Sequence, residues 1–266
     1  MQATERAQLR DGLGMILRQA GEIALIASKK PLRRWTKTGS SPVCEADIAV
    51  DALLREKLGG AFPTYGWLSE ETEDDPMRLK ADAVWIVDPI DGTRAYLDGR
   101  EDWVVSVALA SAGRPRIAAL YAPVTDEFFF AVAGEGVTRN GVPIAVRPGE
   151  GLEGTKLLGP KKFLGKLAEL HPSVVALPRI GSLALRLARI AHGEADIAVV
   201  GGNSHDWDLA AADLSVHEAG GALTDLDGER LTYNCPQPVH ALLVAASRSR
   251  HGMALALIRE RRAQFV

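Results

Sequence analysis

Asp88 and Asp91 stand three residues apart in Ala83–Gly99, AVWIVDPIDGTRAYLDG, with Pro89 between them and Gly92-Thr93 directly after. Two carboxylates so close offer hard oxygen donors to a divalent cation. A glycine and a hydroxyl residue beside them offer a cradle to an anion. Together they suit a cation that bridges protein to phosphate. The plainer reading is a strand-ending aspartate and a helix-capping one. Other carboxylates bear on the choice. Glu70-Glu71 follow the short run Tyr65–Ser69, and Asp47 and Asp208 each stand near the start of a helical pattern. Each has its own plain reading: a solvent-facing glutamate pair, a first-turn acid on a helix dipole, and an N-cap. Asp51 has Arg55 four residues on, which reads as a surface pair. Lys37 reads as a solvated charge. His205, alone, reads as a supporting or structural histidine.

The surrounding pattern says how these residues are held. Val84–Val87 is short, apolar and β-branched, as in a buried strand, and Pro89 is expected to stop it. Asp91-Gly92-Thr93 then opens a helix with its first N–H groups unbonded. Neighbours on a strand face opposite ways, so one of Glu70 and Glu71 can turn inward. Residues 4–28 repeat apolar positions at helical spacing. A second helix runs from Glu45 to Leu58 and stops at Gly59-Gly60. Trp103–Ala110, Ile117–Tyr121 and Glu127–Val132 read as strands, and Asn140-Gly141 marks a hairpin into Val142–Val146. Their short links suggest an antiparallel sheet. Strands and helices alternate thereafter, with strands at Lys156–Leu158, Val174–Ala176, Ala195–Val200 and Ala241–Ala245. Helices read at Lys161–Leu170, Leu183–Ala191, Asp208–Ala219 and Met253–Arg262. The class is α/β with an α+β first half. Two domains are expected, 1–148 with two helices, an antiparallel sheet and most candidate ligands, and 149–266 supplying Asp208 and substrate contacts.

Bulk properties narrow the functions. The 266 residues are 47% hydrophobic and 24% charged, an ordinary globular composition. A net charge of −3 provides no positive field for nucleic acid. No run approaches a membrane span, and the N-terminus shows no apolar signal segment. Cys44 and Cys235 make no disulfide framework. A cytoplasmic location is the expectation.

Taken jointly, the motifs are specific. LSEE (Leu68–Glu71), WIVDPIDGT (Trp85–Thr93) and WDLAAAD (Trp207–Asp213) occur in order, with SPVCEAD (Ser41–Asp47) and GSLALRLARIAHGEAD (Gly181–Asp196). Across nearly its whole length the chain resembles the inositol monophosphatase superfamily of metal-dependent phosphatases. The resemblance implies a layered αβαβα sugar-phosphatase fold, a homodimer, sensitivity to Li⁺ and two or three Mg²⁺ ions per site. It implies that Glu70, Asp88 and the Ile90 carbonyl hold one Mg²⁺. Asp88, Asp91 and Asp208 would hold a second, with Glu70 near a third. It implies that Asp91, Gly92 and Thr93 bind phosphate, while Glu70, Thr93 and Asp47 orient the attacking water. Paired divalent ions suit the chemistry, because a phosphate dianion repels hydroxide and its alkoxide leaves poorly.

Two departures bear on substrate. Cys44 replaces the usual Thr of the S-P-V-T motif. Gly201 stands seven residues before Asp208, where inositol-selective members carry a glutamate that grips sugar hydroxyls. LSEE, YAPV (Tyr121–Val124) and DLDGERLTY (Asp225–Tyr233) lean toward the 3′(2′),5′-bisphosphate nucleotidase branch. That branch converts 3′-phosphoadenosine 5′-phosphate to AMP and phosphate. Gly201 and His205 are the weaker candidates for substrate contact. The alternative is an inositol-1-monophosphatase or a related sugar-phosphate phosphatase. A non-enzymatic alternative is a binding partner of the transcription machinery, through the basic tail Arg259-Glu260-Arg261-Arg262. The expected ligand is a small phosphorylated molecule, with neither nucleic acid nor membrane.

Overall fold

Leu13, Leu17, Ala20 and Ala24 recur every three or four residues and are buried along one face of α1 (Ala3–Ala27). The computed structural model describes residues 3–36 and 42–260. Lys37, Ser41, Arg261 and Arg262 lie outside them. β1 (Arg34–Thr36) and β2 (Pro42–Cys44) form a small antiparallel ribbon. It leads into α2 (Glu45–Leu54), which continues through a wider turn, Arg55–Gly59.

A seven-stranded sheet follows. Its strands are β3 (Gly66–Ser69) and β4 (Ala83–Asp91), then, after the short helix α3 (Thr93–Leu97), β5 (Val104–Ser111) and β6 (Arg114–Ala122). β7 (Glu127–Val132), β8 (Gly136–Arg139) and β9 (Val142–Pro143) complete it, in spatial order 3-4-5-6-7-8-9. Asn140 and Gly141 take positive φ of 50° and 82°, the turn an Asn-Gly hairpin needs. The sheet departs from the expected antiparallel pattern at one pair: β3 and β4 run parallel. The segment between them, with its helical turn Pro76–Lys80, returns the chain to the starting edge. A second departure lies in β4, which does not end at Pro89. Its register against β5 shifts between Asp88, opposite Ser106, and Asp91, opposite Val104. Pro89 sits in this bulge, where its missing N–H takes no ladder bond away.

The second half supplies β10 (Lys156–Leu158), α4 (Lys161–Leu170), β11 (Val175–Ala176), α5 (Leu183–Ala191) and β12 (Ile197–Val200). Next come β13 (Ser204–His205), α6 (Asp206–Glu218) and β14 (Gly221–Asp225). β15 (Val239–His240), β16 (Leu243–Ser247) and α7 (Arg248–Arg259) close the chain. Five of the strands form a sheet in the order 11-10-12-16-14. α6 begins two residues before the expected start, so His205 is its N-cap and Asp208 lies in its first turn.

Side-chain alternation divides the interior into three cores. Trp85 and Val87 of β4 pack with Leu17 of α1 and Val50 and Leu54 of α2. Val84 and Ile86, on the opposite face, pack with Leu185 and Leu187 of α5, Leu209 of α6 and Ala198 of β12. Val199 and Val244, on the far face of the five-stranded sheet, pack with Leu164 of α4 and Leu255 of α7. The layers are therefore helix, sheet, helix, sheet, helix. α5 and α6 fill the middle one, and Asp91 and Asp208 meet beside it.

Candidate active site

The bulge in β4 sets the geometry of its two aspartates. Asp88 Oδ1 accepts the Ile90 N–H at 3.0 Å, which folds the loop back on itself. Asp91 is held from the other half of the molecule. It accepts the Ser182 hydroxyl at 2.5 Å and the Leu183 and Ala184 N–H groups at 3.2 and 2.6 Å. These are the N-cap and first residues of α5, whose unbonded N–H groups favour a carboxylate. Gly92 follows at φ +96°, and a Cβ there would lie 3.0 Å from the Ser182 nitrogen and 3.2 Å from the Asp102 carbonyl oxygen. Only glycine meets both demands. Sequence spacing assigned Ser182 no role, because its partner is far away in the chain.

Thr93 opens α3 and joins two of the expected water-orienting groups. Its hydroxyl lies 3.2 Å from Asp47 Oδ1 and 3.1 Å from the Ile90 carbonyl oxygen. Asp47 lies in the first turn of α2, and its Oδ2 accepts the Cys44 N–H at 2.8 Å and the Cys44 thiol at 2.9 Å. The thiol thus fills the donor role of a threonine hydroxyl. Burial, reinforced by the hydrogen bond to Asp47, pushes the Cys44 thiol up to about 12. It is a proton donor here and not a thiolate nucleophile.

Glu70 leaves the end of β3 with its N–H on the Val87 carbonyl of β4 at 3.3 Å. The expectation for Asp51 needs correction here, since it is not a surface partner of Arg55. It is buried, with Oδ1 2.5 Å from the Ser69 hydroxyl and Oδ2 2.6 Å from the Thr72 hydroxyl. The α2 face that carries Asp51 packs toward β3, and each carboxylate oxygen takes one hydroxyl there. Asp51 therefore grips the chain on both sides of Glu70-Glu71. With Glu70 as the ligand the resemblance implies, Asp51→Ala should weaken apparent Mg²⁺ affinity about 10- to 100-fold, the usual effect of losing a group that orients a ligand. Activity titrated against Mg²⁺ checks this: an unchanged half-saturation concentration would show that Glu70 needs no such support.

Asp88, Asp91 and Asp208 each bring a carboxylate oxygen within 4.8 Å of the others. Asp208 is fixed by accepting the His205 N–H at 2.6 Å. Glu70 lines the same cavity, of about 370 Å³, with Gly92 and Thr93. Burial raises the Asp88 carboxyl well above the usual range, and the charges of Glu70, Asp91 and Asp208 raise it further. Burial and then Asp91 do the same to Asp208. Burial also raises Asp91, offset in part by its bonds to Ser182, Ala184 and Leu183. A group of acids so crowded and desolvated is a poor set of anions and a good set of ligands. The donors are carboxylate oxygens, which fit a hard divalent cation; Ile90 does not line the cavity, and its carbonyl accepts the Thr93 hydroxyl. Of the weaker candidates, neither Gly201 nor His205 lines this cavity. Gly201 borders open space, and the His205 ring stacks on Trp207 with centroids 4.5 Å apart.

The model of the inositol monophosphatase family matches residues 6–263. The chain belongs to that family. It is a metal-dependent phosphoric monoester hydrolase of the family's mixed α/β fold. The inositol-1-monophosphatase of Rhizobium meliloti is 36% identical over 201 residues, 70% of this chain and 73% of that one. The Nus factor SuhB of Salmonella typhimurium is 30% identical over 195 residues, 70% and 72% of the two chains. Among solved structures, an IMPase of Thermotoga maritima matches at a TM-score of 0.84 and 26% identity, covering 95% of this chain and 97% of that one. Among the described residues, no helix is long and apolar enough to cross a membrane.

Proposed function

We propose that this family member hydrolyses a small organic phosphate monoester with Mg²⁺, through water activated in the cavity between β4, α3 and α6. The convergence of Asp88, Asp91 and Asp208, with Glu70 on the same wall, carries this reading. Glu70, Asp88 and the Ile90 carbonyl would hold one ion, and Asp88, Asp91 and Asp208 another. When bound, the ions supply a nucleophile at neutral pH and neutralise the leaving group's charge. The chain's own residues do the rest. Thr93 and Asp47 hold and orient the water and accept its proton. Gly92 and Thr93 place backbone N–H groups on the phosphate oxygens. The buried floor lowers the local dielectric, which strengthens each of these contacts.

Two substrate readings have separate support. The absence of a carboxylate at Gly201, with the motifs at Tyr121–Val124 and Asp225–Tyr233, favours a 3′(2′),5′-bisphosphonucleotide. The names of the relatives favour inositol 1-phosphate. The SuhB relatives are named Nus factors, which keeps a role beside the transcription machinery as a second class of function. The same reading carries a homodimer in the cytoplasm. Parallel assays of phosphate release from 3′-phosphoadenosine 5′-phosphate and inositol 1-phosphate, with and without Mg²⁺, test these readings. Release from neither ester would leave the binding role.

Lithium provides a further expected outcome. Li⁺ is small and hard, and Asp88, Asp91 and Asp208 present oxygens that suit it. Turnover should fall in LiCl and hold in NaCl at equal ionic strength. Coincident curves would place the second cation elsewhere than on these three carboxylates.

A further inference from the structure

The catalytic cavity does not end at the carboxylates. Arg100 and Arg179 line it, and both also line a neighbouring cavity of about 530 Å³. That volume lies within the ~300–1,000 Å³ of small-molecule sites. Its other walls include Leu158, Leu177, Pro178 and Ile180. Nothing in hydrolysis as described uses this space.

The two arginines differ in what they already touch. Arg100 donates to Asp102 at 2.5 Å and to the Arg179 carbonyl oxygen at 3.1 Å. It ties the loop after α3 to the loop before α5. The shared wall is therefore built and not incidental. Asp102 also accepts the Ser182 N–H on its carbonyl oxygen at 3.0 Å. The Arg179 side chain forms no hydrogen bond or ion pair among the described residues. Its charge instead reaches a second cation, Arg186, which is largely desolvated and donates to the Ile180 carbonyl at 3.0 Å. Arg186 forms no ion pair among the described residues either; its compensating field comes from Asp91. Nearby acids are engaged elsewhere: Asp102 pairs with Arg100, and Glu194 with Arg189 at 3.3 Å. Asp98 and Glu101 also line the two cavities, one in each. A cation at the rim of a phosphate site, with a second one behind its wall and neither in an ion pair among the described residues, is a poor arrangement in isolation and a good one around an anion.

We infer that Arg179, backed by Arg186, forms a second anion subsite, and that the preferred substrate is an organic phosphate whose leaving group carries a second anionic group. The apolar wall of the neighbouring cavity takes the body that joins the two anions. This rests on the phosphatase reading and specifies its substrate class. A second phosphate and a carboxylate share the required chemistry, while a neutral polyol phosphate lacks it. A charge-assisted bond to a guanidinium contributes about 1.5–3 kcal/mol, or ~10- to 100-fold in affinity.

Two matched pairs test it. Adenosine 3′,5′-bisphosphate is compared with adenosine 3′-monophosphate, and phosphoglycolate with ethyl phosphate. Binding is read by calorimetry, and kcat/KM is read where turnover occurs. The wild-type chain should favour the doubly anionic member of at least one pair about 10- to 100-fold, and the winning pair identifies the second anion. Arg179→Ala should collapse that ratio toward one, and Arg179→Glu should invert it. The Arg179 side chain is exposed and holds no other element, so both variants should fold. Equal binding within both pairs, or a ratio untouched by Arg179→Glu, would overturn the subsite. A binding ratio that holds while no ester is hydrolysed would sink the phosphatase reading and support the subsite.

Discussion

Asp88→Asn and Asp208→Asn each lower Mg²⁺-dependent turnover by at least ~10²-fold, the scale of losing one major electrostatic contributor, while the metal-free fold becomes no less stable. Both halves of this outcome have one cause. Asp88 and Asp208 are raised by burial and by one another's neighbours, so the folded chain disfavours their charged forms. A carboxyl raised above its unfolded value detracts from stability at every pH above that unfolded value. The penalty fades as pH falls through the raised value. Replacing the acid by its amide removes the penalty at neutral pH and removes a proposed ligand with it. The amide oxygen can still accept the Ile90 N–H in Asp88→Asn and the His205 N–H in Asp208→Asn, so the local hydrogen bonds persist. Thermal melts with chelator, beside turnover at saturating Mg²⁺, make the comparison. A large loss of metal-free stability with intact residual activity would contradict it. The same logic gives a pH signature. Metal-free wild-type protein should gain stability on acidification from neutral pH. It should lose stability again once the pH falls through the depressed values of Glu127 and Asp196. Both are held low by arginines against the effect of burial: Arg189 acts on Glu127, and Arg147 and Arg250 act on Asp196.

Thr93→Val leaves the metals bound and lowers kcat by ~10²–10⁴-fold, the range for a positioned acid–base group. Valine keeps the shape of threonine and loses the one hydroxyl that faces both Asp47 and the Ile90 carbonyl. Asp47 keeps its two bonds from Cys44 on Oδ2, so the helix start stays in place, while Oδ1 is left without its donor. Asp47→Asn should be nearly as damaging. Its single amide oxygen can serve Cys44 or Thr93 but not both, and its NH₂ then faces a group that needs an acceptor. kcat at saturating Mg²⁺, with a calorimetric Mg²⁺ titration of each variant, separates orientation from metal binding. Loss of metal binding in Thr93→Val, or an unchanged kcat, would remove Thr93 from the water-orienting group.

What could be read in the sequence followed local chemistry. Gly92 after Asp91, and Asn140-Gly141 between strands, are demands that the backbone makes on residue type, and they show without a structure. The extension of β4 past Pro89 could not be read, because the bulge exists only against β5. The parallel pairing of β3 with β4 was hidden for the same reason. An intervening segment without a full helix gave no sign of a crossover. Asp51 has a cation at helical spacing, and the local rule chose Arg55. Long-range packing chose Ser69 and Thr72 instead. β14, Gly221–Asp225, escaped because it starts at a glycine pair directly after α6, where the backbone signal is that of a helix end. Spacing alone paired Asp88 with Asp91, and Asp208 could be brought to them on paper only through resemblance. Ser182 stood inside a quoted motif without a role, and Arg179 had no motif to mark it.

The middle layer has one more consequence. Ala184, Ala188 and Ala191 of α5 and Ala210, Ala211 and Ala212 of α6 are all buried there. Small side chains on both helices let the two sheets approach, and Asp208 rides on α6 while Asp88 and Asp91 ride on the sheet beneath. The separation between carboxylates from opposite halves is thus gauged by methyl groups. A close-packed interior answers an added methylene by shifting its backbone, not by absorbing it. Substitution at Ala211 would therefore register as a change in cation selectivity, at a residue with neither charge nor polarity that touches no ligand. In this molecule the tolerances of the inorganic chemistry are written in the thickness of a hydrocarbon spacer.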